Sequence, residues 1–259
     1  MGKDVIVACD FDSAEKVFAF LDKFEGLARK PFVKIGMELY YAEGPAIVRE
    51  IKRRGHKIFL DLKLHDIPNT VKKSMAVLSR LDVDMTNLHA AGTTRMMEAA
   101  IEGLTRPDGT RPLLIAVTQL TSTDEETMKR DLLIDAPIAD VVMHYAHNAK
   151  IAGLDGVVCS PLEAGKVHER CGEGFVTVTP GVRFADGDIG DQKRVMTLLR
   201  PRRSVRTTSW WVVPSPPPRI PWPPITVAWR SSAIENEGNC KETFLKKVSL
   251  HSSKNFEER

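Results

Sequence analysis

The chain has 259 residues, of which 42% are hydrophobic and 27% are charged. This is enough apolar material for a sizeable core, so the composition excludes a wholly disordered chain, a collagen-like fibre and a small disulfide-stapled scaffold. The formal net charge of +3 is unevenly divided, because residues 1–196 carry a net charge of −3 and residues 197–259 a net charge of +6. The body is therefore slightly acidic, and we do not interpret the overall basicity as a sign of nucleic-acid binding.

Short apolar runs alternate with amphipathic stretches along residues 4–196, which predicts repeated strand–helix units. Strands rich in Val, Ile and Leu that alternate with helices indicate a parallel sheet with right-handed crossovers. The predicted strands are residues 4–9, 31–35, 57–63, 84–88, 112–117, 155–158 and 175–178. The predicted helices are residues 13–25, 42–54, 67–81, 93–104, 135–152, 161–170 and 189–196.

Seven such units predict an α/β fold, a (β/α)8 TIM barrel whose last unit is aberrant. A doubly wound open sheet is the alternative architecture. No Gly-x-Gly-x-x-Gly follows the first strand, which weakens a dinucleotide-binding version of that alternative.

The segment 197–259 differs in composition from the body, residues 1–196. It contains all four tryptophans, eight of the sixteen prolines, one glycine and no aspartate. Because a proline-rich stretch neither propagates a helix nor lies in a central strand, we predict an aberrant, partly disordered C-terminal segment.

The sequence also predicts a cytoplasmic chain without a membrane partner. It has no run of about 18 apolar residues, and its N-terminus leads into a strand-like run without a secretory hydrophobic segment. The four cysteines are scattered without a Cys-x-x-Cys pair, which is typical of a reducing compartment and argues against a zinc site.

The densest polar cluster is the stretch Asp61-Leu-Lys-Leu-His-Asp-Ile-Pro-Asn-Thr70. Since strand side chains alternate between faces, Asp61 and Lys63 share one face, and the leucines share the other. In a barrel this places the carboxylate and the ammonium inward at the carboxyl end of the strand, where such barrels carry their chemistry. The structural alternatives are a salt bridge within a barrel layer and, for Asp66, an N-cap of the helix that Pro68 helps to start.

Two further features indicate an anion site and an ion pair. Arg183 follows a Pro-Gly turn directly after a strand, where backbone N–H groups and a guanidinium can hold a phosphate, and Gln192 could add an amide donor. Lys34 is a cation inside an apolar strand and needs a carboxylate partner, which Asp10 or Asp61 could supply.

At these residues the chain resembles the orotidine 5′-phosphate decarboxylase family. The resemblance covers residues 3 to about 196 and is highly specific. The matching stretches are Phe32-Val-Lys-Ile-Gly-Met-Glu-Leu39, Asp61-Leu-Lys-Leu-His-Asp-Ile-Pro-Asn-Thr70, Asn87-Leu-His-Ala-Ala-Gly92, Ala116-Val-Thr-Gln-Leu-Thr-Ser122 and Thr177-Val-Thr-Pro-Gly-Val-Arg183.

The resemblance implies a homodimeric (β/α)8 barrel that converts orotidine 5′-phosphate to UMP in pyrimidine biosynthesis. It implies no cofactor, no metal and active sites shared between the two subunits. Lys63 would donate a proton to C6 of the pyrimidine, flanked by Asp61 and by an Asp66 that reaches in from the neighbouring subunit. The resemblance further implies substrate contacts from Asp10 and Lys34 at the ribose hydroxyls, Thr70 from the neighbour, Thr121 near the pyrimidine, and Arg183 and Gln192 at the 5′-phosphate.

The chain departs from the family at its last strand. The family reads approximately Asp-Tyr-Ile-Val-Val-Gly-Arg-Pro-Ile-Thr there, whereas this chain has Val212 and Val213 at the positions of the phosphate-binding Gly-Arg pair. When residues 206–216 are back-translated with a suitable choice of synonymous codons, the reading frame that begins at the last base of the Arg206 codon encodes the family's ten residues. We therefore interpret the segment that begins near Thr197 as a frame-shifted translation, from a sequencing error or a real mutation.

Two alternative functions stay open at this point. One is a sugar-phosphate aldolase or decarboxylase of the same barrel superfamily, since those enzymes also use Asp-x-Lys-x-x-Asp and usually recruit Mg²⁺. The other is an inactive barrel whose basic, aromatic tail binds a partner or single-stranded nucleic acid. The Asp-Ile-Pro-Asn-Thr continuation favours the nucleotide enzyme over the first alternative.

Overall fold

Strands and helices alternate along the chain in the order that the hydrophobic pattern predicts. The computed structural model describes residues 4–180, 182–183, 196–197 and 209–214. The strands are β1 (Asp4–Ala8), β2 (Phe32–Gly36), β3 (Ile58–Leu64), β4 (Met85–His89), β5 (Leu113–Val117), β6 (Gly156–Val158), β7 (Val176–Thr179), β8 (Val182–Arg183), β9 (Met196–Thr197) and β10 (Ser209–Pro214). The helices are α1 (Ala14–Leu21), α2 (Met37–Glu43), α3 (Pro45–Arg53), α4 (Pro68–Leu78), α5 (Thr93–Leu104), α6 (Glu125–Leu132), α7 (Ile138–Ile151) and α8 (Ala164–Cys171).

The seven strands β1 to β7 lie side by side in chain order, and every neighbouring pair is parallel. β10 pairs in parallel with both β1 and β7, so these eight strands form a closed ring. The predicted α/β class with a parallel sheet is therefore confirmed. Each of the seven predicted strands is found within one residue of its expected start.

The barrel interior is a packed core and not a channel. Its side chains come from strands all around the ring and are nearly inaccessible to solvent. They are Ile6, Ala8, Phe32, Phe59, Met85, Ile115, Val176, Val178 and Val212. Because this core fills the interior, polar side chains are accommodated at the ends of the strands.

Within residues 4–180, the helices differ from prediction in two places. The helix expected over 42–54 is divided into α2 and α3, because Gly44 has a left-handed φ of 65° and Pro45 begins a new helix behind it. α6 was not predicted, although Asp124 caps it by accepting a hydrogen bond from the backbone N–H of Thr127 at 2.9 Å. A capping residue followed by two glutamates was the available signal.

The C-terminal part of the predicted scheme is only partly described. Of the helix predicted over 189–196, residues 189–195 lie outside the described residues, and Met196 instead begins β9, which pairs in parallel with β8. β10 shows that part of the segment 197–259 adopts the extended structure that a last barrel strand requires. Residues 215–259 lie outside the described residues. Among the helices that are described, none combines the length and apolar character needed to cross a membrane.

Candidate active site

A cavity opens at the carboxyl ends of the barrel strands. Its charged lining consists of Asp10, Lys34, Asp61 and Lys63, and Thr121 also lines it. The apolar wall comes from Phe59, Val117, Val158, Val178 and Val212. The structure thus brings together five of the predicted site residues around one space.

Four of those residues form a chain of alternating charges. Lys63 Nζ lies 2.7 Å from Asp61 Oδ1, and Lys34 Nζ lies 3.5 Å from Asp61 Oδ2. Lys34 Nζ also donates to Asp10 Oδ1 at 2.8 Å. The expectation that Lys34 needs a carboxylate partner is confirmed with both candidates. The pair of Asp61 and Lys63 faces the cavity, so it is more than a salt bridge closed within a barrel layer.

Burial and charge act in opposite directions on Asp61 and Lys34. Burial alone raises the pKa of Asp61, but the ammonium groups of Lys34 and Lys63 and the hydrogen bond from Asn87 outweigh it, so the pKa lies below its usual value. Burial likewise lowers the pKa of Lys34, but the carboxylates of Asp61 and Asp10 raise it above its usual value. Both groups are therefore held in their charged forms at neutral pH.

The backbone of β3 is irregular where it carries the ammonium group. Its pairing with β4 is regular from Phe59 to Leu60 and resumes, shifted, at Leu64. Between these points Lys63 has a left-handed φ of 51°, which costs a residue with a side chain about 1–2 kcal/mol. Strain of this kind concentrates at functional sites and persists only where the surroundings hold it.

Asn87 on β4 is the site residue that the sequence analysis did not single out. Its side-chain Oδ1 accepts a hydrogen bond from the backbone N–H of Lys63 at 2.8 Å, and its Nδ2 donates to Asp61 Oδ1 at 2.7 Å. Asn87 is completely buried. An amide in the middle of the predicted strand 84–88 was the available signal, because a buried amide needs partners.

Asp66 and Thr70 do not line this cavity. Both are exposed at the start of α4, next to Ile67, whose exposed fraction is 67%. The N-cap interpretation of Asp66 is wrong, because the capping residue of α4 is Ile67 and the helix begins at Pro68. The Asp66 carboxylate instead accepts a hydrogen bond from the neighbouring Ile67 N–H at 2.6 Å.

The predicted phosphate-binding residues are the least described part of the site. The backbone of Arg183 forms β8 together with Val182, but the position of its side chain is not described. Gln192 lies outside the described residues. On β10, Val212 is paired with Ile6, and its buried side chain reaches the cavity wall.

The lowered pKa of Asp61 predicts a pH dependence of stability. At pH values above 3.8, the ordinary pKa of this carboxyl group, ionised Asp61 contributes to the stability of the folded protein. This contribution is lost as the pH falls through the lower pKa that Asp61 has in the folded protein. We expect the wild-type chain to lose more free energy of unfolding than Asp61→Asn between pH 5 and pH 2, measured by urea denaturation. Asp140→Asn is the control, because Asp140 is an exposed aspartate on α7. An equal acid dependence in the wild type and Asp61→Asn would contradict the prediction.

Comparisons with known proteins agree on one family. The family model described as orotidine 5′-phosphate decarboxylase / HUMPS matches residues 3–204. An orotidine 5′-phosphate decarboxylase of Bacillus cereus (strain Q1) is 57% identical over 205 residues, which is 78% of this chain and 85% of the relative.

The solved structures with a similar fold include one named member of this family and one uncharacterized protein. An orotidine 5′-phosphate decarboxylase from Lactobacillus acidophilus superposes with a TM-score of 0.71 at 33% identity, covering 96% of this chain and 98% of that one. An uncharacterized conserved protein from Geobacillus kaustophilus superposes with a TM-score of 0.69 at 50% identity, covering 81% of this chain and 90% of the other.

Proposed function

The chain belongs to the orotidine 5′-phosphate decarboxylase / HUMPS family, and we propose that it converts orotidine 5′-phosphate to UMP and CO₂ in pyrimidine biosynthesis. The observation that carries the proposal is the Lys63 ammonium, which is bonded to Asp61 at 2.7 Å and faces the cavity at the barrel mouth. The Lys63 ammonium group thus supplies both a fixed positive charge and a proton at the same position in the cavity.

The chemistry of the reaction explains why a fixed cation is needed. When the bond between C6 and the carboxylate breaks, its electron pair stays on C6, where no ring position delocalises it. A preorganised ammonium group stabilises that developing charge. The proton then moves from Lys63 Nζ to C6, and the neutral amine regains a proton from water.

The Asp61 carboxylate acts on both Lys63 and the substrate in this step. It holds Lys63 through a direct hydrogen bond. We propose that it also lies beside the carboxylate of the substrate, whose departure relieves their repulsion. At about 4 Å and an effective dielectric constant of about 20, such a repulsion amounts to about 4 kcal/mol.

We propose that the remaining side chains orient the nucleotide. Asp10 and Lys34, joined by a 2.8 Å hydrogen bond at the cavity, would contact the ribose hydroxyls, and Thr121 would lie near the pyrimidine. Arg183 and Gln192 would bind the 5′-phosphate. Phosphate contacts far from C6 supply binding energy that orients the reacting part of the substrate.

We propose that the active protein is a homodimer with shared sites in the cytoplasm, without a nucleic-acid or membrane partner. Asp66 and Thr70 lie at an exposed surface together with the apolar side chain of Ile67. A single exposed apolar residue is common on monomers, so the proposal rests on the family resemblance and on the exposure of Asp66 and Thr70 outside their own cavity. In this arrangement Asp66 and Thr70 complete the cavity of the other subunit.

Subunit complementation tests the shared site. Lys63→Ala and Asp66→Asn are each expected to be inactive as homodimers. After mixing and refolding together, the hybrid dimer contains one site with both natural residues, so about a quarter of the wild-type activity should return. Mixing Lys63→Ala with Asp61→Asn is the control, because both residues belong to one chain's cavity and no natural site is formed. No recovery in the first mixture would place Asp66 outside the site.

We also propose that the segment 197–259 replaces a normal last unit of the (β/α)8 barrel through a shift of reading frame. The proposal rests on the ten family residues that the alternative frame permits and on β10, which lies where the last strand of such a barrel belongs. Reading the DNA over codons 190–230 tests it. A single intact frame that matches homologous genes would refute it.

The activity itself is tested on protein of confirmed intact mass. We expect conversion of orotidine 5′-phosphate to UMP, followed by the loss of substrate absorbance, and we expect it to persist in EDTA. Loss of turnover in EDTA with recovery on addition of Mg²⁺ would favour the sugar-phosphate enzymes. Salt-sensitive binding of single-stranded nucleic acid by a chain without turnover would favour the inactive barrel.

A further inference from the structure

Asn87 occupies the point where the pairing of β3 with β4 is interrupted. The register shifts between Leu60 and Leu64, and the backbone N–H of Lys63 lies within the shifted stretch. That N–H donates to Asn87 Oδ1 at 2.8 Å. The side chain therefore takes the place of a backbone partner and supports the left-handed conformation of Lys63.

The two hydrogen bonds of Asn87 fix the orientation of its amide. A backbone N–H can only donate, so the atom that faces Lys63 is the oxygen, and the NH₂ group must face Asp61. The NH₂ group donates to the same Oδ1 that accepts from Lys63 Nζ. Asn87 thus contacts both members of the ion pair, through the backbone N–H of Lys63 and through the side-chain carboxylate of Asp61.

We propose that Asn87 is a positioning residue of the decarboxylation site, which sets the backbone of Lys63 and the carboxylate of Asp61 in one rigid unit. It is completely buried and does not line the cavity, so it acts through these two residues and not on the substrate. The inference rests on the proposed function, because it assigns Asn87 a share in the same reaction. A displacement of about 1 Å in a reacting group costs about 100-fold in rate.

Asn87→Ala removes both hydrogen bonds. We expect kcat for orotidine 5′-phosphate to fall about 100-fold while KM changes less than about threefold, because the ribose and phosphate contacts are elsewhere. Thr86→Val is the matched control. Thr86 precedes Asn87 on β4, is equally buried, and donates its hydroxyl hydrogen to the Leu60 carbonyl at 3.0 Å. It is expected to lose stability but to keep its kcat.

Asn87→Asp keeps the shape of the side chain and separates positioning from folding. The new carboxyl group lies within hydrogen-bond distance of Asp61, and two carboxylates so close together share one proton. The pair therefore releases this proton with a pKa above that of a lone carboxyl group. We expect near-normal kcat at low pH and a new loss of kcat as the pH rises through that pKa. Without substrate, the free energy of unfolding should fall over the same pH range, since a raised folded pKa stabilises only the protonated side.

The outcomes separate this inference from the proposed function. The inference is overturned if the kcat of Asn87→Ala falls no further than that of Thr86→Val, or if the kcat of Asn87→Asp follows the wild-type pH profile. A wild-type chain of intact mass that never converts orotidine 5′-phosphate overturns the proposed function. In that case the pH dependence of unfolding of Asn87→Asp still tests the contact, and an unchanged dependence disproves it.

Discussion

Lys63→Ala is expected to lower kcat/KM for orotidine 5′-phosphate by about 10⁴-fold or more. In the proposed mechanism, the variant removes the cation that stabilises the carbon anion, a contribution of about 100- to 1000-fold, and the acid that protonates it, a contribution of about 100- to 10,000-fold. The two effects reside in one group, so they do not multiply fully. The ring and ribose contacts remain, and binding of UMP should change far less than turnover.

The control for this variant is Lys57→Ala. Lys57 is exposed directly before the start of β3, so it lies at the opposite end of the barrel from Lys63, and its removal changes the net charge of the chain equally. We expect turnover close to that of the wild type. Turnover is measured as UMP formed by samples whose intact mass and circular dichroism match the wild type. Lys63→Ala that retains more than about a tenth of the wild-type rate would disprove the assignment.

The strands were predictable from the sequence because each is a short apolar run between turn signals. β4 and β5 were expected at 84–88 and 112–117 and are found at Met85–His89 and Leu113–Val117. Helix ends were less predictable where a single residue decides them. Gly44 divides one expected helix into two, and the Gly44-Pro45 pair was the sequence signal for this break that the hydrophobic pattern alone did not show.

The site was predictable to the extent that its charges lie at strand ends. Alternation along β3 placed Asp61 and Lys63 on one face, and the need to pair a cation in an apolar strand linked Lys34 with Asp10. The role of Asn87 could not be predicted in the same way. It depends on the register shift between β3 and β4, which is a property of two strands brought together and not of either strand alone.

The last barrel strand explains why this chain is expected to bind its substrate weakly. β10 is paired with β1 from Asp4↔Trp210 to Ala8↔Pro214, so its carboxyl end lies at the rim of the cavity. The family resemblance implies a Gly-Arg pair at this end that holds the 5′-phosphate. Here the corresponding residues are Val212 and Val213, and neither side chain can donate a hydrogen bond.

Restoring that pair should therefore recover activity. We expect the double variant Val212→Gly/Val213→Arg to raise kcat/KM for orotidine 5′-phosphate by about 10- to 100-fold, since a charge-assisted hydrogen-bonded contact contributes about 1.5–3 kcal/mol. Much of the gain should appear in KM. Val212 is 7% exposed in the barrel core, so Val212→Gly alone should lower the melting temperature and add no affinity.

Orotidine, the substrate analogue that lacks the 5′-phosphate, distinguishes a new phosphate contact from a general improvement in the packing of the barrel. Orotidine cannot use the new guanidinium, so the double variant should process orotidine no faster than the wild type, whereas a better-packed barrel would accelerate both substrates. Val213→Lys in the same glycine background tests geometry, because an ammonium group supplies the charge without the two-pronged fork and should recover only part of the gain. An equal gain on orotidine, or none on orotidine 5′-phosphate, would mean that the loss of Gly-Arg from β10 does not limit this chain.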